Sequence, residues 1–208
     1  MENYPLQEKV SKFEDLDLSG TYTYADYLKW EFDERLELIR GKIFKMSPGP
    51  NTSHQQVAGV VYNSLYNFLK QKSCRVFVAP YDIRFPRRSK DDKEITTVLQ
   101  PDICVVCDRA KIDERGGIGA PDIVIEILSP GNNKKELKNK YEVYEEAGVL
   151  EYWILHPIEK TFLRYMLDKN KKFQLSDFLT LGDNVTTSVL PGFSLSLDEV
   201  FADSQNQE

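Results

Sequence analysis

Two carboxylates in this sequence stand where carboxylates are costly. Glu126 interrupts the apolar run Ile123, Val124, Ile125, Ile127, Leu128, which reads as a strand buried on both faces. Asp102 opens a second apolar run, QPDICVV. An isolated ionised carboxylate in an apolar core is strongly unfavourable and needs a partner. If the two strands are neighbours, the acids meet at one end of a sheet. Like charges that close leave one of them protonated unless a cation lies between them. An all-oxygen pair with open coordination positions suits a hard divalent ion, Mg2+ or Mn2+. Two other accounts need no metal: Asp102 caps its strand, and Glu126 pairs with a buried lysine or arginine.

A cation held by carboxylates beside a lysine has the chemistry to hydrolyse a phosphodiester. The metal polarises the phosphoryl oxygen and acidifies a bound water, while the lysine stabilises developing charge. Lys134, Lys138 and Lys140 all follow Glu126 on a predicted helix, NKKELKNKYEVYEEAG, which ends at the capping glycine Gly148. Lys140 is the best placed, one turn from Tyr141 and Tyr144 on a helix that must pack on the sheet. Asp82 and Glu37 are further carboxylates that could join. Glu37 lies between Leu36 and Leu38 and otherwise reads as a solvent-facing strand residue.

The elements that must position these groups follow from periodicity. Thr23 reads as the N-cap of a short aromatic-anchored helix. RLELIRGKIFKMSPGP is a hairpin turning at Arg40-Gly41, with a Pro/Gly stop at 47–50. NTSHQQVAGVVYNSLYNFLKQKS is the clearest helix, with Val57, Val60, Val61, Leu65, Phe68 and Leu69 at helical spacing. CRVFVAPYDIRF reads as an alternating strand kinked at proline, and TTVLQPDICVVC as one strand with Pro101 at its beginning or at a bulge. RGGIGA reads as a loop. The helix after Glu126 leads to the strand EYWILHP, a crossover that makes those two strands parallel. The C-terminal third supplies short strands and turns. The expected fold class is therefore α/β (α+β): a mixed central sheet flanked by helices.

Length and composition set the bounds. The chain has 208 residues, 41% hydrophobic and 29% charged, which suits one domain, residues 1–208, with a core over about 20–202. There is no apolar run long enough to cross a membrane, and the polar N-terminus is not a secretory signal, so cytoplasm is the expectation. The net charge of −6 argues against non-specific nucleic-acid binding but leaves local basic segments, RFPRRSKDDK at 84–93 and KKELKNK at 134–140. Three cysteines, Cys74, Cys104 and Cys107, do not make a disulfide framework. The Cys104/Cys107 pair lies on a predicted strand with no second pair or histidine nearby, so small buried apolar side chains are expected rather than a zinc site.

The combination QPDICVV, GAPDIVIEILSP, Lys140 with Tyr144, and EAGVLEYWILHP resembles the Uma2 restriction-endonuclease family. LELIRGKIFKMSP followed by SHQQV, and the terminal LPGFSLSLDEVF, extend the likeness over about residues 20–202. The resemblance implies a PD-(D/E)XK nuclease core, in which Asp102 and Glu126 hold Mg2+ or Mn2+ and the carbonyl of Ile127 adds an oxygen. Leu128 stands where that superfamily places its lysine, and the family supplies the lysine from the next helix, at Lys140. Its early glutamate maps to Glu37 and its histidine to His54, which otherwise reads as a helix-start residue bonding locally. His156 replaces an aspartate of many members and reads as strand-end packing. The implied activity is metal-dependent endonuclease action on nucleic acid, with DNA expected, in a homodimer and without membrane association. The basic loop at Arg87 and Arg88 could track a phosphate backbone. The competing account is a catalytically inactive nuclease-fold binding or interaction module.

Overall fold

The computed structural model describes residues 9–46, 51–130 and 134–202. In chain order the elements are α1 (Tyr24–Tyr27), β1 (Leu36–Ile39), β2 (Lys42–Lys45), α2 (Thr52–Leu69), β3 (Arg75–Val78), β4 (Ile83–Arg84), β5 (Val98–Leu99), β6 (Ile103–Val106), β7 (Ile112–Asp113) and β8 (Gly116–Ile118). They continue with β9 (Ile123–Ile127), α3 (Lys134–Ala147), β10 (Glu151–His156), β11 (Thr161–Leu167), β12 (Phe173–Leu179), β13 (Asn184–Thr186), β14 (Ser194–Ser196) and α4 (Leu197–Val200). The chain divides into two compact units, Met1–Met46 with Arg84–Leu99, and Ser47–Ile83 with Gln100–Glu208. The Pro/Gly stop at 47–50 and the side chain of Lys134 lie outside the described residues.

In the first unit, Thr23 and Asp26 form a capping box that starts α1 as expected. The β1–β2 hairpin turns through Arg40 (φ 51°) and Gly41 (φ 79°), the pair of left-handed residues that a tight two-residue hairpin demands. A Cβ on Gly41 would also meet Thr21 Cγ2 at 2.5 Å. Strand β1 sits between β2 and β5 and is buried throughout, Glu37 included. Glu37 is therefore not the solvent-facing residue that its alternation suggests. The fully buried Arg84 guanidinium lies 5.3 Å from the centre of the Tyr24 ring.

The second unit holds a six-stranded mixed sheet in the order β12-β11-β10-β9-β6-β3. β9 and β10 are parallel, joined by α3 as the crossover pattern predicts, and all other pairs are antiparallel. One face carries Ile103, Val105, Ile123, Ile125, Ile127, Trp153, Leu155 and Phe162, which pack with Val57, Val61 and Leu65 of α2 in one core. The opposite face receives α3 through Tyr141 and Tyr144, whose rings meet Tyr152 at 6.3 and 5.2 Å between centroids. Each helix thus buries its apolar stripe on its own side of β9, which explains why β9 reads as apolar on both faces apart from Glu126.

Prolines break two runs that read as continuous in the sequence. Pro101 falls between β5 and β6, and Pro80 between β3 and β4; neither donates an N–H to a ladder. The glycine-rich segment expected as a loop contains β8, paired with β7. The cysteines also depart from expectation. Cys74 and Cys107 form a disulfide, because the β3–β6 register, Arg75 opposite Val106, continues outward to set Cys74 opposite Cys107. Cys104 alone is a buried thiol, and burial pushes its pKa up. Thiol titration of the denatured, unreduced protein should find one reactive thiol, rising to three after reduction; three before reduction would exclude the bond.

Candidate active site

The acids come together through strand register. β6 and β9 pair with Ile103 opposite Ile125 and Cys104 opposite Val124, so continuing the ladder by one residue sets Asp102 opposite Glu126. Directly opposed residues of an antiparallel pair share a face, with Cβ atoms roughly 5 Å apart. Asp102 stands just before β6, where Ile127 N–H donates to its Oδ2 at 2.7 Å. The same oxygen lies 3.1 Å from His54 Nε2. His54 occupies the first turn of α2, held there by the Asn51 side chain, which accepts from His54 N–H at 2.9 Å. Its Nδ1 is buried and has no hydrogen-bond partner among the described residues. Asp102 therefore works both as a strand-end cap and as the partner of a buried histidine.

Glu126 has the partners that its burial requires. Lys140 Nζ donates to Oε2 at 3.2 Å, and Tyr144 Oη donates to Oε1 at 2.6 Å. All three side chains are buried. Residues 140 and 144 are four apart on α3, hence one above the other on the helix face turned to the sheet. Of the accounts open from sequence, the buried lysine partner of Glu126 is thus present. Sequence reasoning misses the tyrosine donor, because it treats Tyr144 only as a marker of the helix face that orients Lys140. The same i,i+4 spacing is the signal that puts its hydroxyl on the same target. Tyr152, on the same sheet face, is fully buried with a hydroxyl that has no partner among the described residues. Burial, and after it the charge of Glu126, raise its pKa well above the usual value.

Asp102, Glu126, Ile127, Lys140, Tyr144 and His54 therefore belong to one neighbourhood at the end of β6 and β9. Glu37 stands on β1 in the first unit, and Arg87 and Arg88 belong to that unit as well. Lys138 is exposed and pairs with Glu142 at 3.8 Å. Asp82 accepts from Gln100 Nε2 at 2.8 Å. His156 ends β10, its Nδ1 accepting from Glu159 N–H at 3.3 Å, a local strand-end bond.

The donor chemistry fits a hard divalent cation. Both acids and the Ile127 carbonyl offer oxygen only, and the Ile127 N–H hydrogen bond and the His54 Nε2 contact to Asp102 both fall on Oδ2, leaving Oδ1 without a donor among the described residues. No group of three or more His, Cys, Asp or Glu side chains forms a ready ligand set among those residues. A cation here would keep several waters, as Mg2+ characteristically does.

The mixed sheet thus has helices on both faces and two acids at one strand end. A family model described as "Uma2: Putative restriction endonuclease" matches residues 24–198, and the chain belongs to the Uma2 family. Its nuclease-like character follows from that membership. A solved structure described as a putative nuclease belonging to DUF820 from Anabaena variabilis ATCC 29413 is 24% identical. It superposes with a TM-score of 0.66 over 87% of this chain and 98% of the other. No curated protein matches the sequence.

The Lys140–Glu126 pair has a measurable signature. Removing one member of a buried pair strands the other charge, so Lys140→Ala should lower unfolding free energy by about 3–5 kcal/mol. The double variant K140M/E126Q should recover most of that loss in urea denaturation. Wild-type stability for Lys140→Ala would show that the pair contributes nothing.

Proposed function

We propose that this protein is a metal-dependent endonuclease that hydrolyses phosphodiester bonds of nucleic acid, with DNA as substrate. The observation that carries the reading is the β6–β9 register, which sets Asp102 against Glu126 with the buried Lys140 ammonium on the second acid. Asp102 Oδ1, a Glu126 oxygen and the Ile127 carbonyl would hold Mg2+ or Mn2+. A divalent cation bound there supplies a Lewis acid for the phosphoryl oxygen and an acidified water.

The chain's own groups do the rest. Ile127 N–H and His54 Nε2 fix Asp102 through Oδ2, which would leave Oδ1 for the cation. Lys140 offers donors to the non-bridging phosphate oxygens, where negative charge develops. It reaches Glu126 from α3, which supports the family's helix-borne lysine in place of the in-strand one that Leu128 replaces. The Arg87 and Arg88 segment would bind phosphates of the substrate backbone. Both units would form one nuclease-like domain acting in the cytoplasm. The active form would be a homodimer. The β12 sheet edge supports pairing: the bulge at Arg164/Tyr165 turns exposed Leu175 and Phe178 to the same face.

One observation favours the second reading, an inactive interaction module: each Glu126 oxygen already accepts a protein donor. Cleavage of plasmid, single-stranded DNA and RNA separates the two, with Mg2+, Mn2+ and chelator arms. We expect cutting that needs the cation and falls at least about 100-fold in Glu126→Gln and Asp102→Asn, with Glu37→Gln testing the fourth expected acid. Cutting that survives Glu126→Gln, or no cutting of any substrate, would sink the nuclease reading.

A further inference from the structure

We infer that Tyr144 is a positioning residue that orients the Glu126 carboxylate for cation binding; this rests on the reading of Asp102 and Glu126 as the metal-holding pair. The torsion that rotates a glutamate carboxylate is broad, so burial alone does not aim its oxygens. Here the two oxygens are held by different residues, Lys140 on Oε2 at 3.2 Å and Tyr144 on Oε1 at 2.6 Å. Two donors one helical turn apart define the carboxylate plane, which one donor would leave free to turn.

Tyr144 is itself anchored at both ends. Its carbonyl accepts from Gly148 N–H at 3.2 Å and Val149 N–H at 3.1 Å. Those bonds close α3 through Gly148 (φ +89°), and Val149 is fully buried behind them. Its ring is fully buried against Tyr152. The hydroxyl is thus delivered from a fixed frame, at the short distance of a bond to a charged acceptor.

The choice of donor has an electrostatic consequence. A second ammonium on Glu126 would cancel the charge that attracts a cation. A phenol donates a hydrogen bond and adds no positive charge, so it aims the carboxylate without neutralising it. Lys140 and Tyr144 therefore play separate roles, Lys140 offsetting the cost of burying Glu126 and Tyr144 setting its direction. Outer groups that orient metal ligands typically contribute about 10- to 100-fold in metal affinity.

Tyr152 supplies the internal control. It is equally buried in the same ring cluster, and its hydroxyl holds no partner among the described residues. Y144F and Y152F each delete one hydroxyl from a fully packed tyrosine, but only the first hydroxyl touches Glu126. In the full chain, Mn2+ binding followed by electron paramagnetic resonance should weaken about 10- to 100-fold in Y144F and stay at the wild-type value in Y152F. Cleavage by Y144F should need correspondingly more Mn2+ and recover when it is supplied, with little change in the apparent KM for nucleic acid. Wild-type Mn2+ affinity in Y144F would overturn the inference while leaving the metal reading intact. Equal losses in Y144F and Y152F would also overturn it, since general packing would then be responsible. Absence of Mn2+ binding in the wild-type chain would defeat the metal reading itself, and this inference with it.

Discussion

The rest of the second unit is organised around a carboxylate buried in the middle of a sheet. Glu126 lies on β9, a strand covered on one face by the α2 core and on the other by α3. An uncompensated charge there would cost more than most single interactions return. The crossover from β9 through α3 to β10 resolves this, because it lays the helix that follows Glu126 back over the strand that carries it. Residues four apart on that helix then meet the two oxygens of one side chain. The crossover and the pair of donors are a single solution: without the helix returning over the strand, Glu126 could not be buried.

Asp102 reaches the same place by a different route. Its carboxylate closes the start of β6 by accepting the Ile127 N–H, so it serves the strand end and the acid pair together. Pro101 makes that arrangement possible, since a residue without an N–H ends one strand and lets the chain enter another. The histidine at the start of α2 then engages the same Asp102 oxygen. Three elements distant in sequence, the ends of β6 and β9 and the first turn of α2, thus converge through backbone pairing and one helix terminus, with no long loop involved.

Much of this is legible in the sequence, and the reasons are local. The α2 stripe, the Arg40-Gly41 turn, the Thr23 cap and the β9–α3–β10 crossover all follow from spacings within a few residues. The acids stand out because charge inside an apolar run is conspicuous. What cannot be read is what register decides. Nothing in a linear pattern says that β3 pairs with β6, so the Cys74–Cys107 bond escapes notice even though both cysteines flank recognisable strands. Glu37 misleads for a related reason: alternation implies one wet face only when a strand lies at a surface, and β1 is buried on both. The role of Tyr144 is hidden by its type, since an aromatic residue at helical spacing reads first as packing.

The balance of formal charge at the two acids is set by a single lysine. Asp102 and Glu126 bring two negative charges, and Lys140 returns one. Complete neutralisation would give a stable core with nothing to attract an ion, while no neutralisation would leave Glu126 too costly to bury. The lysine lies on Glu126, while the contacts to the Asp102 carboxylate, from Ile127 N–H and His54 Nε2, fall on Oδ2. An in-strand lysine at position 128 would bring its charge on the two-residue period of the strand itself; Leu128 removes that option, and α3 delivers the charge from above instead. Lys140 thereby ties the electrostatics of Glu126 to the placement of one helix on one sheet.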